Sequence, residues 1–158
     1  HHRVNIGVGS TYEGITGLRK SFSEAEKAIA LGSDLWAKKS IHYFHELGVY
    51  RLIALLEGTR ELKEYYEESM KRLAEYSKAN DLNLIETLEA FFACNESLKE
   101  TADMLFIHVN TLKYRLQKIK QITGCSIHRS EDKLMLLMGL KIHRYISSII
   151  EKDKNNSI

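Results

Sequence analysis

The apolar residues at the start of the chain alternate with smaller or polar ones. Val4, Ile6 and Val8 fall on one face at a period of two, which predicts a short strand. Gly7 and Gly9 fall on the opposite face, where missing side chains let another segment pack closely against the strand. The first element is therefore expected to be a strand covered on its glycine face.

Helical spacing follows this strand. It predicts a first helix that Gly32 ends as a C-terminal cap. A second short strand is predicted in "IHYFHE", and a second helix from Leu47 to Leu56, ending near Gly58. The apolar positions that define the first helix are Leu18, Phe22, Ala25 and Ile29.

From Arg60 onward the apolar pattern is helical throughout. It predicts two amphipathic helices before residue 95, with a break at Asn80-Asp81. The chain has no proline, so the strongest helix breaker is absent. We expect a mainly α fold, in which a C-terminal helical bundle follows a partial α/β segment. The apolar positions are Leu62, Tyr65, Tyr66, Leu73 and Tyr76 in the first helix, and Leu84, Leu88 and Phe91 in the second.

The stretch after Asn95 predicts two short helices joined by a tight turn. Ser97 and Glu100 form an S-x-x-E capping box, so a helix is expected to begin at Leu98. Phe106 to His108 form the turn, and a second helix is expected over 109–123, capped by Gly124. Ala102 is small enough to let the two helices approach. This arrangement is typical of a helix-turn-helix.

The second of these helices has one apolar face and one polar face. Leu112, Leu116 and Ile119 form the inner stripe at 100° per residue. Arg115 projects at about 300°, beside this stripe, where it either braces the domain or contacts a ligand. The outward side, at about 140° to 200°, carries Asn110, Tyr114, Gln117 and Gln121, with Lys113 and Lys118 flanking it.

Charge is unevenly distributed along the chain. The net charge is only +2, but residues 98–152 carry 10 basic and 5 acidic side chains. Between Ile107 and Arg129 there are five basic residues and no acidic one, a pattern that favours binding to a polyanion. On a helix-turn-helix, this pattern predicts binding to double-stranded DNA.

The outward side chains suit the major groove of DNA. Asn and Gln pair with adenine, Lys meets guanine or phosphate, and a helix N-terminus attracts an anion. We expect a homodimer on two half-sites, because one module buries limited surface. The predicted DNA-binding residues are His108, Asn110, Thr111, Lys113, Tyr114, Arg115, Gln117 and Lys118.

The segment "TADMLFIHVNTLKYRLQKIKQITG" resembles the C-terminal helix-turn-helix of the PucR/CdaR class of bacterial transcription regulators. The matching core is His108, Asn110, Thr111, Leu112, Tyr114, Arg115, Leu116, Thr123 and Gly124. Val109 departs from the pattern, since many members carry a basic residue there. Phe106 departs from generic helix-turn-helix units, which often have Gly at this place in the turn.

The front half, "VGSTYEGITGLRKSFSEAEKAIALG", resembles the end of the GGDEF-like domain that precedes this helix-turn-helix in CdaR-type members. The resemblance implies a C-terminal fragment of a longer regulator whose effector-sensing region lies upstream, with a small-molecule effector. The expected domains are the end of a GGDEF-like domain over 1–58, a DNA-binding helical domain over 59–152 and a frayed tail over 153–158.

Other functions are less consistent with the sequence. A nucleotide cyclase needs acidic metal ligands beside a Gly-Gly turn, and "IGVGSTYEG" has no adjacent acidic pair, so no enzyme activity or cofactor is expected. His42 and His45 have no nearby cysteine or carboxylate cluster, so no metal site is expected. The alternative is a helical protein-interaction or dimerisation module that does not contact DNA.

Two features bear on the location of the protein. There is no long apolar run and no secretory signal pattern, so we expect a cytoplasmic protein without membrane contact.

Cys94 and Cys125 lack a partner motif and are expected to be buried free thiols. His1 and His2 have the appearance of a tag remnant and are not considered as ligands.

Overall fold

The computed structural model describes residues 4–36 and 38–155, with side chains described up to Ile150. It divides into two compact units. One comprises the described residues within 1–57 and 144–155, and the other comprises residues 58–143. The sequence assigned residues 144–152 to the helical domain, whereas in the structure they group with the first unit. His1, His2 and the last three residues of the predicted tail lie outside the described residues.

The first unit is built on a parallel pair of strands joined by a helix. The strands are β1 (Ile6–Val8) and β2 (Ile41–Tyr43), and α1 (Gly14–Leu35) connects them. Ile6 pairs with Ile41. A 3-10 turn (Phe44–Leu47) and α2 (Tyr50–Leu55) follow, so the second predicted strand is shorter than expected.

Close backbone approach explains the glycines of β1. A Cβ added at Gly7 would lie 2.1 Å from the carbonyl oxygen of Ala25, and one at Gly9 would lie 2.0 Å from that of Ser21. Both carbonyls belong to α1, so the prediction that a segment packs closely on the glycine face is confirmed.

Two features of α1 differ from the predicted helix. Gly32 does not end it, because the helix continues to Leu35 and Gly32 is buried within it. A Cβ at Gly32 would lie 2.5 Å from the imidazole of His42, so glycine is required there by packing and not by a cap. Leu18 and Phe22 are 71% and 65% exposed, so the buried side of α1 lies elsewhere.

A buried carboxylate holds the loop between β1 and α1. Oε2 of Glu24 accepts from the backbone N–H of Ser10 at 2.9 Å, and Oε1 accepts from the hydroxyl of Tyr12 at 2.6 Å. The pKa of Glu24 is lowered to about 2, chiefly by the hydrogen bond from Tyr12 and also by those from Ser10 and the charge of Lys20. Burial of the carboxylate raises the pKa but does not offset these effects. Glu24 is therefore ionised at neutral pH.

The last helix, α8 (Ser130–Asn155), contributes its C-terminal part to the first unit. Nη2 of Arg144 donates to the carbonyl oxygen of Leu35 at 2.9 Å, and the hydroxyl of Tyr145 donates to Glu57 at 2.8 Å. Burial and the Glu57 carboxylate raise the pKa of Tyr145.

The second unit consists of helices and their connections, with no strand among its described residues. Its elements are α3 (Arg60–Tyr66), a π-helical turn (Glu67–Lys71), α4 (Arg72–Ala79), α5 (Leu84–Ala93), α6 (Leu98–Met104), α7 (Val109–Thr123) and the first part of α8. The mainly α fold expected from the sequence is confirmed. The core residues are Met70, Leu73, Leu84, Leu88, Phe91, Ala102, Leu112, Leu116, Ile119, Cys125, Leu136 and Leu140.

Two features are absent from the described part of the chain. None of its helices is long and apolar enough to cross a membrane. None of its residues form a group of three or more His, Cys, Asp or Glu side chains able to hold a metal ion. Cys94 and Cys125 are buried free thiols, as expected.

Candidate nucleic-acid interface

The short helix α6 begins where the capping residues place it. Oγ of Ser97 accepts from the backbone N–H of Glu100 at 3.4 Å. The backbone N–H of Ser97 donates to the carbonyl of Cys94 at 3.0 Å, so this donor is satisfied by the preceding turn instead of by a reciprocal box. Ala102 is 2% exposed and lies in the core shared with α7, as predicted.

The turn after α6 is a helix C-cap with Phe106 in the left-handed position. Phe106 has φ of 53°, and its N–H donates to the carbonyl of Asp103 at 3.2 Å. The next N–H, of Ile107, reaches back to the carbonyl of Ala102 at 3.0 Å. These are the two hydrogen bonds of a Schellman motif, in which this position usually holds glycine. The Phe106 side chain is 95% exposed.

Helix α7 is fixed by its apolar face. Leu112 and Ile119 are fully buried and Leu116 is 8% exposed, so the predicted inner stripe is confirmed. Gly124 ends the helix with φ of 73°, and its N–H donates to the carbonyl of Lys120 at 2.9 Å. Because the apolar stripe is buried in the core, the opposite face of α7 is directed outward.

The outer face of α7 presents polar side chains to solvent. Tyr114 is 50% exposed, and its ring lies 5.8 Å from the ammonium of Lys118, which is half-buried. Within the described residues, no salt bridge involves Lys113, Lys118 or Lys120. The remaining exposed side chains on this face and at the start of the helix are His108, Asn110, Thr111, Lys113, Gln117 and Gln121.

Arg115 is directed differently from the other predicted site residues. It is half-buried, and its Nη1 donates to Oγ1 of Thr87 at 3.1 Å. Thr87 lies on α5 and is fully buried. The guanidinium therefore connects α7 to the helix behind it.

Two acidic groups near α7 are paired with bases. Glu96 contacts Lys133 at 2.7 Å, and Asp132 lies 3.9 Å from Arg129 while also accepting from the backbone N–H of Ser126 at 2.7 Å. These pairs reduce the negative potential beside an acid-free helix. The result is a polar, cationic surface suited to a polyanion.

The sequence did not indicate a role for three residues that bear on this surface. Thr87 could not be identified because its link to Arg115 spans two helices. Lys120 is exposed on the flank of α7 and belongs to the acid-free basic run, but it is not among the predicted DNA-binding residues. Phe106 departs from the Gly that is usual in such turns, and its positive φ is the reason why Gly is usual there.

Comparison with known protein families finds matches for two segments of the chain. Residues 84–142 match the profile of the PucR C-terminal helix-turn-helix domain, and residues 1–31 match that of the GGDEF-like domain. The resemblance inferred from the sequence is therefore confirmed for these two segments.

Curated relatives align with most of this chain. The DNA-binding transcriptional activator AdeR of Bacillus subtilis is 30% identical, covering 88% of this chain and 33% of the relative. The purine catabolism regulatory protein of the same organism is 29% identical, covering 91% and 27%. The carbohydrate diacid regulator of Escherichia coli is 26% identical, covering 89% and 36%. The chain thus spans about a third of the length of these relatives.

Proposed function

Because residues 84–142 form a PucR C-terminal helix-turn-helix domain, we propose that this chain binds duplex DNA through α7 as part of a transcription regulator. The observation that carries the proposal is the two-sided structure of α7. Its inner stripe is buried, while its outer face is polar, exposed and free of carboxylates. A helix of this kind fits the major groove with its N-terminal part toward the bases.

Different side chains have different roles in this proposal. Phosphate contacts by His108, Thr111, Lys113 and Lys118 set the register on the duplex. The base edges are read by Asn110, Tyr114 and Gln117, whose amide and hydroxyl groups match the donors and acceptors of the major groove.

Arg115 acts as a positioning residue in this proposal. Its hydrogen bond to Thr87 occupies the guanidinium on the α5 side of α7. A side chain held there orients the helix, whereas the exposed residues make the contacts.

A homodimer and an upstream effector complete the proposal. A single helix-turn-helix buries limited surface on DNA, so two copies on two half-sites supply useful affinity. The relatives are about three times as long as this chain, and a small-molecule effector would bind in the region they have in addition. Selection of bound sequences from a random duplex pool tests the dimer, because a dimer with two-fold symmetry enriches palindromes.

Gel-shift titrations at several salt concentrations test the contacts. Lys118→Ala is expected to weaken binding to all duplexes and to reduce the salt slope by about 1, while Gln117→Ala changes the sequence preference. Lys78→Ala, on the exposed surface of α4, is the matched control and is expected to leave the affinity, the salt slope and the sequence preference unchanged. Unchanged binding in both α7 variants would remove this helix from the interface.

A helical interaction module is the second candidate. It is favoured by Leu134 and Leu137 on α8, which are 57% and 37% exposed. The two candidates differ in the selection experiment, since an interaction module enriches no duplex sequence.

We assign no catalysis to the front segment. Gly7 and Gly9 are accounted for by the approach of α1, so they need no nucleotide to explain them. Turnover of a nucleoside triphosphate by the purified chain would contradict this assignment.

A further inference from the structure

A cavity of about 350 Å³ lies beside α7, between the start of α6 and the loop that follows α7. Its volume falls within the range of about 300 to 1,000 Å³ that is typical of small-molecule sites. Its apolar surface comes from Phe91, Leu98, Leu116 and Ile127. The cavity is half open to solvent, and these side chains give it an apolar floor on which an apolar molecule can pack.

The rim of this cavity is cationic. The ammonium groups of Lys113 and Lys120 line it and are exposed to solvent, and the imidazole of His128 lies beside them. Glu96 also lines it, but its carboxylate is 2.7 Å from the ammonium of Lys133, which offsets its charge. An anionic group at the rim would therefore meet an attractive potential.

The wall formed by the loop is held in place by hydrogen bonds. The backbone N–H of Ser126 donates to Asp132 at 2.7 Å, and that of Cys125 donates to Oγ1 of Thr123 at 3.1 Å. His128 donates its backbone N–H to Oγ of Ser126 at 3.4 Å. A preformed wall reduces the ordering cost of binding a ligand.

From these observations we propose that the cavity binds a small organic anion with an apolar body, such as an aromatic or branched aliphatic carboxylate. The apolar body packs on Phe91, Leu116 and Ile127, and the carboxylate lies at Lys113 and Lys120. Lys113 and Gln117 line the cavity and are also DNA contacts in the proposed function. The ligand and DNA are then expected to compete, a consequence that rests on the proposed function.

The direct test uses the 158-residue chain without DNA. Sodium 2-naphthoate is titrated while the backbone amide signals are followed by two-dimensional NMR. Saturating shifts are expected at Lys120 and at the loop residues 126–128, with a dissociation constant of about 0.1 to 1 mM for so small a probe. The uncharged 2-naphthamide has the same apolar body and is expected to bind about tenfold more weakly.

Charge reversal at the rim supplies the matched comparison. Lys120→Glu is expected to weaken naphthoate binding about tenfold, whereas Lys78→Glu on α4 leaves it unchanged. Equal binding of the acid and the amide, shifts confined to other parts of the chain, or an unaffected Lys120→Glu variant would overturn the proposal. Because this titration contains no DNA, failure of the anion site is distinguishable from failure of the DNA-binding proposal.

Discussion

The guanidinium of Arg115 on α7 donates to the hydroxyl of Thr87 on α5, with Nη1 and Oγ1 3.1 Å apart. The same hydroxyl donates to the carbonyl of Asn83 at 2.7 Å. Thr87 is fully buried, so its hydroxyl is available to Arg115 but not to a bound ligand. This pair fixes α7 relative to the helix behind it.

Removal of either member of this pair is expected to destabilise the second unit. Thr87→Val keeps the shape of the side chain but removes the acceptor for the charged Arg115 donor. The free energy of unfolding is expected to fall by about 1 to 2 kcal/mol, a range that allows for the partial solvent exposure of Arg115. Urea denaturation followed by far-ultraviolet circular dichroism measures the change. In a double-mutant cycle with Arg115→Ala, the coupling energy is expected to be about 0.5 to 1.5 kcal/mol, and additive effects would contradict the pairing.

The same variants separate bracing from DNA contact. If Arg115 positions α7, then Thr87→Val and Arg115→Ala weaken DNA binding by similar factors and leave the salt slope unchanged. Thr87 cannot contact DNA because it has no exposed surface. If only Arg115→Ala weakens DNA binding, and if it also reduces the salt slope by about 1, then Arg115 contacts phosphate.

The turn between α6 and α7 contains an unfavourable residue. Phe106 has φ of 53°, a conformation that costs an L-residue about 1 kcal/mol relative to glycine. Phe106→Gly is therefore expected to be about 1 kcal/mol more stable than Phe106→Ala, although both remove the same exposed ring. Urea denaturation and hydrogen exchange at the amides of α7 measure the difference. Equal stability of the two variants would mean that φ carries no penalty here.

Gly9 is required by the contact between β1 and α1. A methyl group there would lie 2.0 Å from the carbonyl oxygen of Ser21, which is backbone and cannot rotate away. Gly9→Ala is expected to destabilise the first unit by about 2 to 3 kcal/mol. Trp36 lies in this unit and is the only tryptophan, so its fluorescence during denaturation reports the effect. Thr11→Ala, at an exposed position of the same loop, changes stability by less than about 0.5 kcal/mol.

Local signals were enough to predict the helix-turn-helix. Ser97 begins α6, Gly124 ends α7, and the spacing of Leu112, Leu116 and Ile119 sets the buried face of α7. Each of these depends on residues within a few positions of one another. The start of α6 and the bounds of α7 therefore follow from the sequence alone.

Long-range contacts could not be predicted in the same way. Gly32 has the sequence signature of a helix cap, but its role depends on the His42 imidazole, which another element brings against it. The projection of Arg115 placed it beside the apolar stripe, but its partner Thr87 lies 28 residues earlier on a different helix. In both cases the packing of two elements determines what the side chain does.

The stability of the first unit is expected to depend on the ionisation of Glu24. Its pKa is about 2 in the folded chain, below its ordinary value of 4.5, because Tyr12 and Ser10 donate hydrogen bonds to the carboxylate. The ionised form is thus favoured by folding. This contribution is fully present above about pH 4.5 and is lost as the pH falls from there toward 2.

Replacement of this carboxylate tests the linkage. Glu24→Gln is expected to lower stability at neutral pH and to remove most of the decline between pH 4.5 and 2, since the amide does not titrate there. Denaturation followed by the fluorescence of Trp36 at a series of pH values provides the measurement, and Glu26→Gln, at an exposed position of the same helix, is the matched control. The direction of the effect is fixed by the sign of the shift, because protonation of a group that folding keeps ionised must favour the unfolded chain. A Glu24→Gln variant with the acid sensitivity of the parent chain would show that other carboxylates account for the decline.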